Sequence, residues 1–178
     1  MIDFADIIVD LQAGDTGKGK VAHYLAANKG LDRYTHVVRY NGGGNAGHTI
    51  YHKNQKIVTH YIPIGFVHKI KSIIGPGCVV NVNGLLKEIQ ELEESGFNVH
   101  DYLKIDKRVH IITEEHLQEE NSETKIGTTK KGNGPAYRDK YARKGIRAGE
   151  VSELKDFIID VYEEFHSGIS YDVRILFE

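Results

Sequence analysis

A glycine-rich turn near the amino terminus carries the residue types that bind a nucleotide phosphate. Residues 14–20 read Gly-Asp-Thr-Gly-Lys-Gly-Lys, between the apolar run 7–9 and a second apolar stretch that begins at Val21. Glycines in a turn from a buried strand into a helix let several backbone N–H groups point at one anion, and the helix N-terminus adds positive potential. This turn therefore predicts a phosphate site.

The spacing of the turn also raises the question of a metal. It matches the first part of the P-loop pattern, G-x-x-x-x-G-K, but Val21 stands where Ser or Thr would hold magnesium. Another oxygen must then hold any metal, and Asp15 is the nearest acidic candidate. A carboxylate at this point would repel phosphates unless a metal or a chemical task required it.

A second polar loop, residues 39–49, ends in a histidine. Its sequence is Arg-Tyr-Asn-Gly-Gly-Gly-Asn-Ala-Gly-His-Thr. A histidine after such a loop can face a ligand with little obstruction, and its ordinary pKa of about 6.5 suits proton transfer near neutral pH. Asn45 offers both a donor and an acceptor. On spacing alone, a tight turn that leads into a strand fits His48 equally well.

A third segment, residues 125–147, combines basic residues with glycine and threonine. Thr128 and Thr129 could hold a phosphate monoester, and Arg143 could give a bidentate phosphate contact. Taken alone, the segment is more typical of a solvated basic loop.

The remaining histidines and the cysteine predict no further chemistry. The histidines show no metal-ligand spacing, so we expect surface or core roles for His23, His52, His60, His68, His100, His110, His116 and His166. Cys78 has no basic neighbour, and we expect a small buried residue rather than a nucleophile.

Composition excludes several classes of protein. With 178 residues, 40% hydrophobic and 27% charged, the chain suits one globular domain. A net charge of −2 gives no electrostatic footprint for nucleic acid or an anionic membrane. The single cysteine excludes a disulfide framework, and we find no signal peptide or membrane-spanning run, so we expect a cytoplasmic protein.

Strand and helix patterns alternate along the chain. We expect strands over 5–10, 35–40, 72–75, 103–105, 109–112 and 172–177, a hairpin of 49–52 with 56–60 around Asn54, and no regular structure over 41–47. We expect helices over 18–29 and 114–123, a helix from a cap at Asn83 to Gly96, and a last helix from a cap at Ser152 to Phe165. The fold class predicted is α/β: a mostly parallel sheet flanked by helices, with a P-loop-like phosphate loop and a β-hairpin insertion.

The three loops, taken in order, resemble the adenylosuccinate synthetase family. The shared motifs are Gly-Asp-x-Gly-Lys-Gly-Lys at 14–20, Asn-Ala-Gly-His-Thr at 45–49, and Ile-Gly-Thr-Thr with Gly-Pro-Ala-Tyr at 126–137. The resemblance covers residues from about 7 to 150 and the final strand. It implies a GTP-dependent, Mg²⁺-dependent homodimeric ligase that joins IMP and L-aspartate through 6-phosphoryl-IMP.

The resemblance also implies residue roles. Asp15 resembles the base that takes the N1 proton of IMP, His48 resembles the acid that stabilises charge at O6, and the Asp15 carboxylate and Gly47 carbonyl resemble the ligands of one Mg²⁺ per subunit. Arg143 resembles an arginine that reaches the partner subunit's IMP, and Thr129 would lie on the 5′-phosphate side. The implied catalytic residues are Asp15, His48 and Lys18; the GTP contacts are Gly14, Asp15, Thr16, Gly17, Lys18, Gly19, Lys20, Gly47, His48 and Thr49; the IMP contacts are Asp15, Thr16, Gly17, Lys18, Asn45, Ala46, Gly47, His48, Thr129 and Arg143.

Departures from the family pattern keep two alternatives open. Ala13, Thr16, Gly44 and the pair Lys130-Lys131 replace residues usual in the family. The first loop also resembles phage relatives that act on dGMP, although the presence of Asp15 favours IMP. The other alternative is a non-catalytic nucleotide-binding module. We expect residues 1–178 to be one nucleotide-binding domain, the N-terminal part of a longer synthetase, with little activity by itself.

Overall fold

A mixed set of strands and helices builds the molecule around one main sheet. The structure is a computed structural model, and it describes residues 2–11, 16–27, 33–122, 127–166 and 173–178. The strands are β1 (Ile2–Ile7), β2 (His36–Gly42), β3 (His48–His52), β4 (Gln55–Thr59), β5 (Lys71–Val80), β6 (Leu103–Asp106), β7 (His110–Ile111), β8 (Ile158–Ile159) and β9 (Val173–Phe177). The α-helices are α1 (Lys18–Ala26), α2 (Val82–Glu94), α3 (Glu114–Ser122), α4 (Asn133–Tyr141) and α5 (Val161–His166), and 3₁₀ turns cover Ile64–His68, Ala148–Glu150 and Ser152–Phe157.

The main sheet is parallel in all of its described pairings. Its strand order is β1-β9-β2-β5-β6-β8, and β7 adds a short pairing to β5. Central parallel strands are covered on both faces, which is why consecutive residues are buried in each of them: 36–39 in β2, 72–75 and 78–80 in β5, and 175–176 in β9. The α/β class predicted from the sequence is confirmed.

The predicted hairpin is also confirmed. Strands β3 and β4 pair antiparallel, and Lys53 and Asn54 form the turn with φ values of 48° and 67°. Two consecutive positive φ angles give the turn the twist that a two-residue hairpin needs. Ile50 and Ile57 face the core from this insertion.

The first strand differs from the prediction. The apolar run 7–9 was expected to be a buried strand, but Ile7 and Val9 are each 61% exposed. The strand lies earlier, over Ile2–Ile7, where it pairs with β9 at the edge of the sheet. An edge strand has no neighbour on one side, so its sequence need not be uniformly apolar.

Strands β2 and β5 both continue through glycine-rich segments that were expected to end them. Strand β2 extends to Gly42, and β5 continues past Gly75-Pro76-Gly77 to Val80. The register shifts between the pairs Arg39–Ile74 and Asn41–Gly77, where β5 has one residue more than β2, so β5 bulges against β2. A Cβ on Gly77 would lie 2.0 Å from the Tyr40 carbonyl oxygen, so glycine here permits close backbone approach.

Three helix predictions also need correction. Asn81, not Asn83, caps α2, because its Oδ1 accepts the Gly84 N–H at 2.8 Å. The expected last helix is divided into the 3₁₀ turn Ser152–Phe157, strand β8 and α5, since β8 pairs with β6. Helix α4 was missed, because its many charged residues hid a helix that buries Pro135 and Ala136.

Candidate active site

A cleft of about 490 Å³ opens at the carboxyl ends of β1, β9 and β2, which are neighbours in the sheet. Ligands of open parallel sheets bind at this edge. The first and second predicted loops both contribute to it. The predicted site residues that line the cleft are Thr16, Gly17, Lys18, Gly19, Lys20, Asn45, Ala46, Gly47, His48 and Thr49.

The phosphate turn runs directly into a helix. Gly17 precedes α1 with a φ of 92°, a left-handed conformation that suits glycine, and Lys18 to Lys20 form the first turn of the helix. The predicted base Asp15, and Gly14 before it, lie outside the described residues. Their roles therefore stay predictions.

Helix α1 and His48 are in contact. A Cβ on Gly19 would lie 2.6 Å from the Cβ of His48, so only glycine lets the helix approach the histidine this closely. His48 is the first residue of β3 and is buried. Two loops that are well separated in sequence thus form one wall of the cleft.

Glu178 lies against His48 and was not predicted as a site residue. Its buried Oε1 lies 3.4 Å from His48 Nδ1 and accepts the Ile64 N–H at 3.3 Å. Within the described part of the chain, His48 Nδ1 and Glu178 Oε2 have no hydrogen-bond partner. Buried polar atoms without partners are uncommon and often mark a place where a ligand or water binds.

The charges of the cleft are partly paired within the protein. The Lys18 ammonium forms an ion pair with the Asp10 carboxylate, and both side chains are only partly exposed. Lys20 is exposed at the same wall. The cleft therefore presents lysine donors near the helix N-terminus, with one of them held by a carboxylate.

Arg39 is a second residue that the sequence analysis missed. It is 6% exposed, donates to the backbone oxygens of His60 and Gly43, and lines the cleft. These bonds link the backbone at Gly43 and His60 to the Arg39 side chain on β2. A buried arginine with carbonyl partners also brings positive charge to the cleft.

The third predicted segment contacts the start of the second loop, residues 39–49, through a tyrosine on α4. Tyr137 on α4 accepts the Gly42 N–H at 2.7 Å and donates to the carbonyl of Gly42 or Gly77, at 3.1 and 3.0 Å. Thr129 and Arg143 are exposed and do not line the cleft. The interpretation of residues 125–147 as a solvated loop is wrong for α4, and the two predicted IMP contacts stay untested.

Cys78 is a core residue, as predicted. It is 1% exposed, and burial raises the pKa of its thiol to about 11. A thiol in this state is a poor nucleophile at neutral pH.

Comparison with known proteins gives the family. The family model for adenylosuccinate synthetase matches residues 7–176. The adenylosuccinate synthetase of Chlorobium limicola is 45% identical over 154 residues, which cover 83% of this chain and 34% of the relative. That of Wolinella succinogenes is 40% identical over 179 residues, covering 97% of this chain and 42% of the relative. The chain belongs to the adenylosuccinate synthetase family.

Solved structures agree with this assignment of the chain to the adenylosuccinate synthetase family. A fully ligated adenylosuccinate synthetase from Plasmodium falciparum matches with a TM-score of 0.81 at 28% identity, over 97% of this chain and 50% of that chain. The succinoaminodeoxyadenylate synthetase of cyanophage S-2L, bound to dGMP and dATP, matches with a TM-score of 0.76. Its 24% identity shows a shared fold only. The chain spans about a third of the C. limicola synthetase and about half of the P. falciparum chain.

Proposed function

We propose that this chain supplies the phosphate-binding and proton-transfer part of an adenylosuccinate synthase. The reaction joins IMP and L-aspartate with GTP, through 6-phosphoryl-IMP, in purine nucleotide biosynthesis. The observation that carries the proposal is the contact of His48 with Gly19 in one cleft at the carboxyl edge of the sheet. Family membership supports the same activity.

The chemistry divides between two side chains. The amide oxygen O6 of IMP is a weak nucleophile until N1 loses its proton, and Asp15 would take that proton. His48 would stabilise the charge that develops as O6 attacks the γ-phosphorus of GTP. General acid–base groups of this kind each contribute about 10²–10⁴-fold to the rate.

Binding would fall to the turn and helix. The backbone N–H groups of residues 14–20, with Lys18 and Lys20, would hold the GTP phosphates at the N-terminus of α1. The Lys18 ammonium would leave the Asp10 carboxylate and bind a phosphate oxygen instead. Asn45 to His48, with Thr129 and Arg143, would contact IMP.

We infer that a backbone carbonyl at the cleft and the Asp15 carboxylate would hold a magnesium ion. Mg²⁺ prefers oxygen ligands and accepts one or two from the protein together with substrate phosphates. Gly47 lines the cleft and offers a backbone carbonyl, and the Asp15 carboxylate would be the second protein ligand. Bound Mg²⁺ neutralises phosphate charge during phosphoryl transfer.

The partners follow from the same proposal. We infer a homodimer in which Arg143 reaches the partner subunit's IMP, and a cytoplasmic location. The net charge of −2 supports small-molecule rather than nucleic-acid partners. No described helix is both long enough and apolar enough to cross a membrane.

A fusion protein gives the sharpest test of the activity. It joins this chain to the carboxyl-terminal part of the W. succinogenes synthetase that the chain does not match. We expect adenylosuccinate formation from IMP, aspartate and GTP, and we expect Asp15→Ala and His48→Ala to remove it while GTP binding persists. A folded fusion that accepts dGMP and rejects IMP would favour the phage-type reaction instead. GTP binding without turnover on either nucleotide would favour a non-catalytic module.

A further inference from the structure

Three histidines that are far apart in sequence converge on one point away from the cleft. His23 lies on α1, His52 ends β3, and His68 ends the 3₁₀ turn Ile64–His68. One ring nitrogen of each lies within 4.8 Å of the others. The shortest approach joins His68 Nε2 to His23 Nδ1 at 2.9 Å. The sequence analysis missed this group because its spacing follows no linear motif.

We propose that His23, His52 and His68 form a binding site for a divalent transition metal such as Zn²⁺. Imidazole nitrogens are the ligands that Zn²⁺, Cu²⁺ and Ni²⁺ share, whereas Mg²⁺ prefers oxygen. Three histidines leave one tetrahedral position for water or a ligand. None of the three histidines lines the cleft that contains Gly47.

The ring arrangement suits convergence on one ion. The His52 ring lies nearly perpendicular to the rings of His23 and His68, with centroids 5.7 and 5.5 Å away. Two nitrogens that bind one zinc at about 2.0–2.1 Å lie about 3.3 Å apart in tetrahedral geometry. Small side-chain rotations would therefore bring all three nitrogens to one ion.

The packing around the three histidine rings leaves them accessible to solvent. All three histidines are partly exposed, so an ion can enter from solvent. The exposed Lys53 and Lys69 follow His52 and His68 in the sequence, and their positive charge opposes cation binding, so the imidazole nitrogens would have to hold Zn²⁺ by coordination.

The site joins two elements that line the cleft, α1 and β3, and a 3₁₀ turn that contacts the cleft residue Glu178. Helix α1 contains Gly19 beside His48, β3 begins with His48, and the 3₁₀ turn begins with Ile64, whose N–H binds Glu178. His23 lies in the second half of α1, and His52 and His68 are the last residues of β3 and of the 3₁₀ turn. A bound ion would therefore fix the three elements relative to one another and stabilise the wall of the cleft.

Zinc titration of the 178-residue chain, prepared without a histidine tag, tests the proposal. We expect calorimetry to show one Zn²⁺ per chain, unaffected by excess Mg²⁺, and X-ray absorption to show histidine nitrogen ligands. His52→Gln should weaken Zn²⁺ binding by at least about 10-fold, since losing a direct ligand should cost no less than losing a supporting contact. His68→Gln should do the same.

The matched control is His166→Gln, which changes an exposed histidine on α5 outside the cluster. It should bind Zn²⁺ like the parent protein, and circular dichroism should show that every variant keeps its fold. Binding that is absent in the parent, or equal in the parent and in folded His52→Gln and His68→Gln, would overturn the proposal. Because the readout is binding, the result does not depend on synthase activity.

Discussion

Three side chains of the cleft contact protein groups that a ligand would displace or join. Lys18 contacts Asp10, His48 contacts Glu178, and Arg39 contacts backbone carbonyls. Asp10 and Glu178 are carboxylates in a cleft proposed for anionic ligands. Single substitutions can separate the effect of Asp10 on GTP binding from the effect of Glu178 on His48.

The Asp10–Lys18 pair should oppose GTP binding. Asp10→Asn removes a carboxylate from the cleft and frees the Lys18 ammonium for phosphate. A partly exposed ion pair is worth about 0–1 kcal/mol, so we expect GTP affinity to rise by up to about five-fold. Calorimetric titration of the parent protein and of Asp10→Asn with GTP measures the two affinities. Lys18→Ala is the opposing variant and should weaken GTP binding. A weaker GTP affinity in Asp10→Asn would show that the Asp10–Lys18 pair does not oppose GTP binding.

Glu178 should position His48. Glu178→Gln keeps an oxygen for the Ile64 N–H but removes the negative charge beside His48 Nδ1. In the fusion protein we expect kcat to fall by about 10–100-fold, as for other groups that orient an active imidazole, with the KM for GTP unchanged. If kcat is unchanged and only thermal stability falls, Glu178 has a structural role alone.

At this scale the sequence predicted some roles and missed others. Glycine and lysine in the turn indicated phosphate binding because backbone geometry and charge act locally. Glu178 and Arg39 were missed because their importance comes from tertiary contacts over distances of 130 and 21 residues along the chain, to His48 and His60. No local pattern reports such contacts.

Strand β5 depends on glycine where it bulges against β2. Gly77→Ala would place a methyl group 2.0 Å from the Tyr40 carbonyl oxygen, and the backbone there cannot rotate away as a side chain can. We expect a loss of about 1–3 kcal/mol in the free energy of unfolding, measured in urea.

Gly134→Ala is the matched glycine variant. Gly134 lies in α4, and the nearest atom to an added Cβ is Glu120 Oε1 at 3.6 Å, an ordinary contact. We expect it to be neutral or to stabilise the protein by up to about 1 kcal/mol. Equal losses in the two variants would contradict the close approach of β2 and β5.

The end of β6 is joined to α5 by a buried carboxylate. Asp106 accepts the backbone N–H of Val161 and a bidentate bond from Arg108. Burial opposes ionisation of Asp106, but Arg108 and the backbone donors outweigh it, so its pKa lies below the ordinary value. The stabilisation is therefore present above the ordinary aspartate pKa of about 3.9 and is lost as pH falls through the folded value.

Asp106→Asn should accordingly destabilise the protein in a pH-dependent way. We expect a loss of about 1.5–3 kcal/mol at pH 7, the range for hydrogen bonds to charged groups, and a smaller difference below about pH 4. Urea unfolding at several pH values measures it. The exposed Asp156→Asn is the control, and a difference from the parent that does not change with pH would argue against a charged Asp106.

Periodicity predicted elements with a clear apolar face, such as α2 and the β3–β4 hairpin. It failed where another element decided the conformation. Strand β8 forms inside an expected helix because β6 offers a pairing edge, and β5 continues through Gly-Pro-Gly because β2 lies beside it. These are tertiary effects that outweigh local propensity.

At the scale of the whole molecule, we propose that the site extends across two subunits. Arg143 is exposed at the end of α4, with a φ of 58°, and is free to meet another chain. Fusion proteins with His48→Ala and with Arg143→Ala should each lack activity. Mixed, they should regain part of it, because a hybrid dimer has one site with both residues intact. If mixing restores nothing while hybrid dimers form, Arg143 does not act across the interface.

We propose above all that Asp15 and His48 face the same purine ring from two loops. A crystal structure of the chain with IMP and a non-hydrolysable GTP analogue measures this directly. We predict the Asp15 carboxylate within hydrogen-bond distance of N1 and the His48 imidazole on the O6 side, next to the γ-phosphate. Ordered nucleotides with the two side chains in separate cavities, or with IMP bound away from His48, would contradict the account.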